Sequence, residues 1–223
     1  MLNFIKYFLH VLFPVSCPIC GNLGETACVE CLDSLCFNRK LKCFECGLSN
    51  PCALHDGGAW IYYYARHEGF ARELILSLKY SNQESLGRAM GGCIGRTILK
   101  DNEKLMSSYY KGNVFLVPVP LHRSSARRFN QSCAIAQGIS GTLGFEVSES
   151  LRWSYDVKAQ TARSRKERLK LAENAFKADS KIAGRKVILV DDVQTTGTTL
   201  KRAQSACTSA GAECIGAIVW TRS

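Results

Sequence analysis

Residues 185–200, RKVILVDDVQTTGTTL, constrain the fold of this 223-residue chain more than any other stretch. Four consecutive aliphatic residues, 187–190, leave no polar face. A run of that length and character fits a strand covered on both sides, as in parallel sheets flanked by helices. The run stops at two adjacent carboxylates, Asp191 and Asp192, and then at a loop of threonine and glycine. The pattern predicts that the chain leaves the sheet at Asp191 and enters a helix near Thr198. Ligands of such sheets gather at the carboxyl ends of the strands, which is where the two acids fall.

The rest of the chain supports that architecture. Apolar or aromatic runs at 59–65, 113–120 and 212–220 read as further strands, with a weaker one at 145–153. Between them, 69–80, 86–99, 129–144 and 198–210 repeat apolar residues at helical spacing. Polar residues 100–113 read as a loop or a frayed helix end. Strands alternating with helices predict an α/β fold with a parallel sheet over residues 58–223.

Residues 1–57 obey a different rule. Of twelve cysteines, eight lie between Cys17 and Cys52. Seven of them form the knuckles CPIC (Cys17, Cys20), CVEC (Cys28, Cys31) and CFEC (Cys43, Cys46), followed by CALH (Cys52, His55). A two-residue spacer lets both ligands of a knuckle face one ion, which favours zinc over a disulfide scaffold and implies a reducing cytoplasm. Eight ligands make two closed, structural zinc sites. Pairing in sequence order gives Cys17, Cys20, Cys28 and Cys31, then Cys43, Cys46, Cys52 and His55; an interleaved pairing meets the same spacings. His55 also admits a reading as a surface histidine beside Asp56. Cys36 fits no knuckle, and Cys93, Cys133, Cys207 and Cys214 read as core residues.

Residues 2–13 read as an amphipathic helix rather than a signal peptide, since Lys6 and His10 interrupt an apolar run too short to span a bilayer. A peripheral contact with the inner face of a membrane stays open. The net charge of +10 is uneven: residues 1–57 carry 4 Lys/Arg against 5 Asp/Glu, the remainder 25 against 14. The basic surface therefore belongs to the sheet domain, where it would attract phosphate-rich partners.

Backbone amides of the loop after Asp192, with the free N–H groups of the next helix, make an anion cradle suited to one phosphate. Gly197 permits the tight backbone, and no Gly-Lys-Ser/Thr follows to make a Walker A loop. Paired acids beside a phosphate can accept hydrogen bonds from two neighbouring hydroxyls. A ribose 5-phosphate satisfies both halves.

With these residues in view, the chain resembles the type I phosphoribosyltransferases, and within them the ComF-type competence proteins, also called the GntX group. The resemblance rests on the LFP..C..C start, the paired knuckles, LKY (78–80), PVPLH…RRFNQS (118–132) and VDDVQTTGTT (190–199). It implies a phosphoribosyltransferase-like domain preceded by a small zinc-binding module. It further implies that Asp191 and Asp192 hold the ribose of phosphoribosyl pyrophosphate (PRPP), with Mg²⁺. Thr195, Thr196, Gly197, Thr198 and Thr199 would hold its 5-phosphate. Lys79, Arg123, Arg127 and Arg128 would lie on the pyrophosphate or acceptor side. A helical stretch at 160–176, carrying Arg163, Arg165, Lys166 and Arg168, reads equally as a closing loop, a DNA contact or a solvated basic face. The resemblance departs at Leu171, where many members carry Asn, and at His55, where they carry Cys. Its functional implication is natural transformation, with single-stranded DNA and competence DNA-processing proteins as partners. An active transferase with an unidentified acceptor is the alternative. Phe129 and Trp153 are candidates for stacking on bases.

Overall fold

The computed structural model describes residues 16–37, 39–55, 58–81, 83–109, 113–122, 125–154 and 175–223. The expected N-terminal helix, Arg123, and Arg163, Arg165, Lys166 and Arg168 of the 160–176 stretch lie outside the described residues. The strands of the main sheet are β1 (Lys42–Cys43), β2 (Trp60–Arg66), β3 (Val114–Pro118), β4 (Glu146–Val147), β7 (Lys186–Gln194) and β8 (Glu213–Arg222). They lie in the order β1-β2-β8-β7-β3-β4. β5 (Leu151–Trp153) and β6 (Phe176–Ala178) form a separate antiparallel pair. The helices are α1 (Val29–Ser34), α2 (Gly69–Tyr80), α3 (Glu84–Asp101), α4 (Glu103–Tyr109), α5 (Gln131–Leu143) and α6 (Thr198–Ser209).

Every pairing in the main sheet is parallel except that of β1 with β2. The continuous apolar runs follow from burial on both faces, and the strand period of two sorts their side chains. Trp60, Tyr62, Tyr64, Ile188, Val190, Ile218 and Trp220 join one core. Ile61, Tyr63, Val187, Leu189, Ala217 and Val219 join the other. Residues of α2, α3 and α5 cover the first face, while α6 and the β5–β6 pair cover the second.

The cysteine-rich segment enters both cores. Leu32 and Leu41 pack in the first and Phe44 in the second, and β1 extends the sheet as its antiparallel edge. Cys93, expected among apolar neighbours, also makes polar contacts there. Its thiol donates to Asp33 Oδ1 at 2.8 Å and lies 3.0 Å from the Tyr64 hydroxyl. Burial, then Asp33, pushes this thiol up to about 12, so it stays protonated.

Three local expectations need correction. Residues 103–109 form a separate helix, α4, neither a loop nor the frayed end of α3, because Met106 is buried beneath it. The single weak strand at 145–153 is two strands in different sheets, β4 beside β3 and β5 beside β6. β7 does not end at Asp191. It runs on to Gln194 because β8 stays beside it, pairing Asp191 with Val219 and Gln194 with Arg222. Its other neighbour, β3, stops at Pro118 opposite Val190.

Candidate functional site

That one-sided ending opens the site. From β3 the chain moves outward to β4, and from β7 it moves the other way to β8. The order of strands therefore reverses between β3 and β7, and such a switch point leaves a crevice beyond the carboxyl ends. Pro118 and Pro120 end β3 at its mouth. A crevice of about 200 Å³ lies there, lined by Val119, His122, Arg127, Ser132, Asp191 and Asp192 among others.

Asp191 is buried. Its Oδ1 accepts hydrogen bonds from the Ser132 hydroxyl at 3.1 Å and from the Asp192 backbone N–H at 2.9 Å. Burial, and next the Asp192 charge, push its carboxyl above the ordinary carboxylate range, and these two hydrogen bonds oppose that rise. Asp192 is paired with Lys79, Nζ to Oδ2, at 2.8 Å. Lys79, expected on the pyrophosphate or acceptor side, thus stands beside the second acid, carried there by the last turn of α2.

The start of α5 holds the opposite wall. Asn130 caps the helix by accepting from Ser132 N–H, and its amide donates to the Val119 carbonyl at 3.0 Å. Gln131 is buried; its Oε1 accepts from Arg127 at 3.2 Å and its Nε2 donates to the Phe129 carbonyl. Sequence reasoning does not mark Asn130, Gln131 and Ser132 individually as site residues. A run of polar residues opening a small-residue helix is the signal that points to them. Arg127 and Arg128 line an adjoining cleft of about 350 Å³ with Lys79, Tyr80 and Phe129.

Beyond Gln194 the loop turns into α6 at Gly197, whose φ of 77° is left-handed and favours glycine. A Cβ there would lie 2.7 Å from the Gln194 amide nitrogen, the end of a flexible side chain that can move aside, so the left-handed φ is what favours glycine. Thr195, Thr196, Thr198 and Thr199 are exposed around it. The hydroxyls of Thr196 and Thr198 are 2.9 Å apart. The free amides of a twelve-residue helix open beside them.

Trp153, a candidate for stacking on bases, is half-buried. It packs between His122 and Phe176, with ring centroids 4.8 and 4.4 Å away, and its indole N–H donates to the Pro120 carbonyl. Phe129 packs against the first core. Phe176, at the end of the expected helical stretch, belongs to β6.

The cysteines gather in sequence order. Cys17, Cys20, Cys28 and Cys31 form one tetrad, and Cys43, Cys46, Cys52 and His55 the other. Cys20–Cys28 and Cys46–Cys52 sulfurs are 3.6 Å apart, and His55 Nδ1 lies 3.7 Å from the sulfurs of Cys43 and Cys52. Tetrahedral zinc with bonds of about 2.0–2.3 Å sets ligand edges of roughly 3.3–3.8 Å. Both donor sets fit zinc, with no position left for a substrate. His55 contributes a ligand atom although its side chain is exposed.

Comparison with known proteins agrees with this geometry. The family model described as phosphoribosyl transferase domain matches residues 96–222, which includes β3, α5, β7, α6 and β8. Competence protein ComFC of Streptococcus pneumoniae is 23% identical over 86% of this chain and 78% of its own length. The chain belongs to the phosphoribosyl transferase family, in its ComF-type group. Two further relatives of this ComF-type chain are Competence protein F of Haemophilus influenzae and the DNA utilization protein YhgH of Escherichia coli O6:H1. The first is 25% identical over 86% of this chain and 95% of its own. The second is 28% identical over 82% and 80%. Among the described residues, no helix of the ComF-type chain is long and apolar enough to cross a membrane.

Proposed function

We propose that this chain binds PRPP at the β3–β7 crevice and handles single-stranded DNA in natural transformation. The observation that carries the PRPP reading is Asp191: a buried carboxylate held by Ser132 and by its neighbour's amide, one residue before a Lys79-paired acid and four before a threonine loop. Burying one acid beside another costs stability, and a ligand that presents two hydroxyls and a phosphate would account for that cost. Asp191 and Asp192 would accept from the ribose hydroxyls, and Thr195–Thr199 would donate to the 5-phosphate. Mg²⁺ would offset the charge of the pyrophosphate, with Arg127 and Arg128 beside it. The DNA part rests on the printed names of the relatives, competence and DNA utilization proteins, and on the basic charge of the sheet domain. Such a role places the chain in the cytoplasm, at or near the inner face of the membrane.

Calorimetric titration with PRPP and Mg²⁺ tests the ligand. The double variant Asp191→Asn/Asp192→Asn should lose about 100-fold or more in affinity, since each charge-assisted hydrogen bond contributes about 1.5–3 kcal/mol. Equal affinity in the variant would refute the site. Transfer of the ribosyl group to an acceptor is the second reading, favoured by the cationic cleft of Arg127 and Arg128 next to the crevice. Pyrophosphate release upon addition of an acceptor would establish it.

A further inference from the structure

A second cavity, of about 600 Å³, opens at the ends of β2 and β8 between the sheet and the cysteine-rich segment. Its walls include Phe37, Lys42, Tyr63, Arg66, His67 and Arg222. The Arg66 guanidinium lies 3.9 Å from the centre of the Phe37 ring, and that of Arg222 lies 5.1 Å from the centre of the Tyr63 ring. The Phe37 backbone is held in place, its N–H donating to the Tyr64 carbonyl at 2.9 Å. Phe37 is 57% exposed, so its ring offers a face to a ligand in the cavity. Three cations face one acid, Glu68, whose carboxylate is 3.9 Å from Arg66.

The cavity lies beside the end of β7, the strand that carries Asp191 and Asp192, since its wall residue Arg222 pairs with Gln194. His67, in its wall, is bonded to Thr221 of β8 at 2.9 Å. Ser223 N–H donates to the carbonyl of Gln194, the residue that ends β7 before the threonine loop. A neutral base would need the aromatic wall but not three cations. A bare phosphate would need the cations but not the aromatic wall. A nucleotide needs both, since every base has a stackable face and every phosphate a charge.

We propose that this cavity binds one nucleotide unit of a single-stranded nucleic acid, stacking its base against the exposed Phe37 ring and pairing its phosphates with Arg66 and Arg222. This rests on the reading of the chain as one that handles single strands, and it gives that reading a location beside the end of β7. A free nucleotide carries the same chemistry, so the test separates the two sources.

Binding of a short fluorescein-labelled oligo-dT is measured by anisotropy across a salt series, and binding of dTMP by calorimetry. Zinc content and thermal unfolding check that each variant is folded. Arg66→Ala/Arg222→Ala should weaken strand binding at least tenfold and flatten its logarithmic salt slope by about 1.4, two contacts at roughly 0.7 each. Phe37→Leu should weaken it about tenfold with the slope unchanged, because stacking is not screened. Loss of dTMP binding in these variants alongside the strand supports the proposal. Loss of dTMP binding alone assigns the cavity to free nucleotides and refutes the strand reading. Strand binding that falls with Arg127→Ala/Arg128→Ala but not with Arg66→Ala/Arg222→Ala overturns the cavity and leaves the strand reading standing. A wild-type protein that binds neither probe overturns both.

Discussion

At the scale of single residues, the site depends on a carboxylate kept where it is costly. Burial and the Asp192 charge favour the protonated form of Asp191 in the folded protein. Its folded-state value therefore lies above that of the unfolded chain. Such a group contributes its full stability below the unfolded value and loses it as pH rises through the folded one. Asp191→Asn cannot ionise and keeps an acceptor for Ser132. We expect it to be more stable than wild type at pH 8 by about 1–2 kcal/mol, because moving a titration by one pH unit corresponds to roughly 1.4 kcal/mol. It should show no gain at pH 4. Urea unfolding at the two pH values measures this; an equal gain at both would mean that charge is not the cause. Ser132→Ala should act oppositely, removing a donor from a buried acceptor at a cost of about 1–3 kcal/mol. PRPP affinity should fall with it. The Asp191–Asp192 pair and Gly197 were legible in the sequence because acids after an apolar run and a glycine in a threonine loop are local signals. Lys79's partner was not, since the ion pair joins residues 113 positions apart.

At the scale of elements, the position of the site is set by the contact of α3 with α5. Both helices carry glycines where they meet. A methyl on Gly91 would fall on the Ile135 carbonyl oxygen, and one on Gly138 on that of Arg88. The two backbones touch, so neither helix can shift without the other. The first turn of α5 holds Asn130, Gln131 and Ser132 against the crevice, and α3 thereby fixes the wall facing Asp191. Gly138→Ala should destabilise the protein by roughly 3 kcal/mol, at the upper end of overpacking costs because backbone rather than a flexible side chain must yield. Denaturant unfolding gives the value; a loss below about 0.5 kcal/mol would mean that the helices part easily. The helices 69–80 and 129–144 were readable from apolar spacing, and α2 matches its expected limits. The extension of β7 to Gln194 was not readable. Two acids look like a strand end, but a strand ends when its neighbours leave, and β8 does not leave.

At the scale of the whole molecule, the two tetrads serve different faces of the sheet. Leu32, just after the first tetrad, packs in the core beneath α3 and α5. Phe44, within the second, packs with Leu200 of α6, and its neighbour Glu45 pairs with Lys201 at 3.0 Å. The exposed ion pair contributes little alone; the packing of Phe44 is the stronger tie. Zinc loss from the second tetrad should therefore reach the threonine loop. Cys43→Ser/Cys46→Ser is expected to weaken PRPP binding several-fold more than Cys17→Ser/Cys20→Ser, although both lower the melting temperature. Calorimetry beside zinc content checks the contrast, and equal losses would mean that the segment acts only through overall stability.

By itself the sequence determined what short-range chemistry dictates: buried strands from continuous apolar runs, helices from their spacing, paired metal ligands from knuckles, and a Thr/Gly loop after paired acids; which knuckles share an ion was left to the structure. Tertiary structure alone decided which strands are neighbours, and so where β3 stops while β7 goes on. It alone brought Ser132 to Asp191, Lys79 to Asp192, and Phe37 to Arg66. Each of these joins residues that are distant in the chain, and only the packing of the two cores about one sheet makes them close.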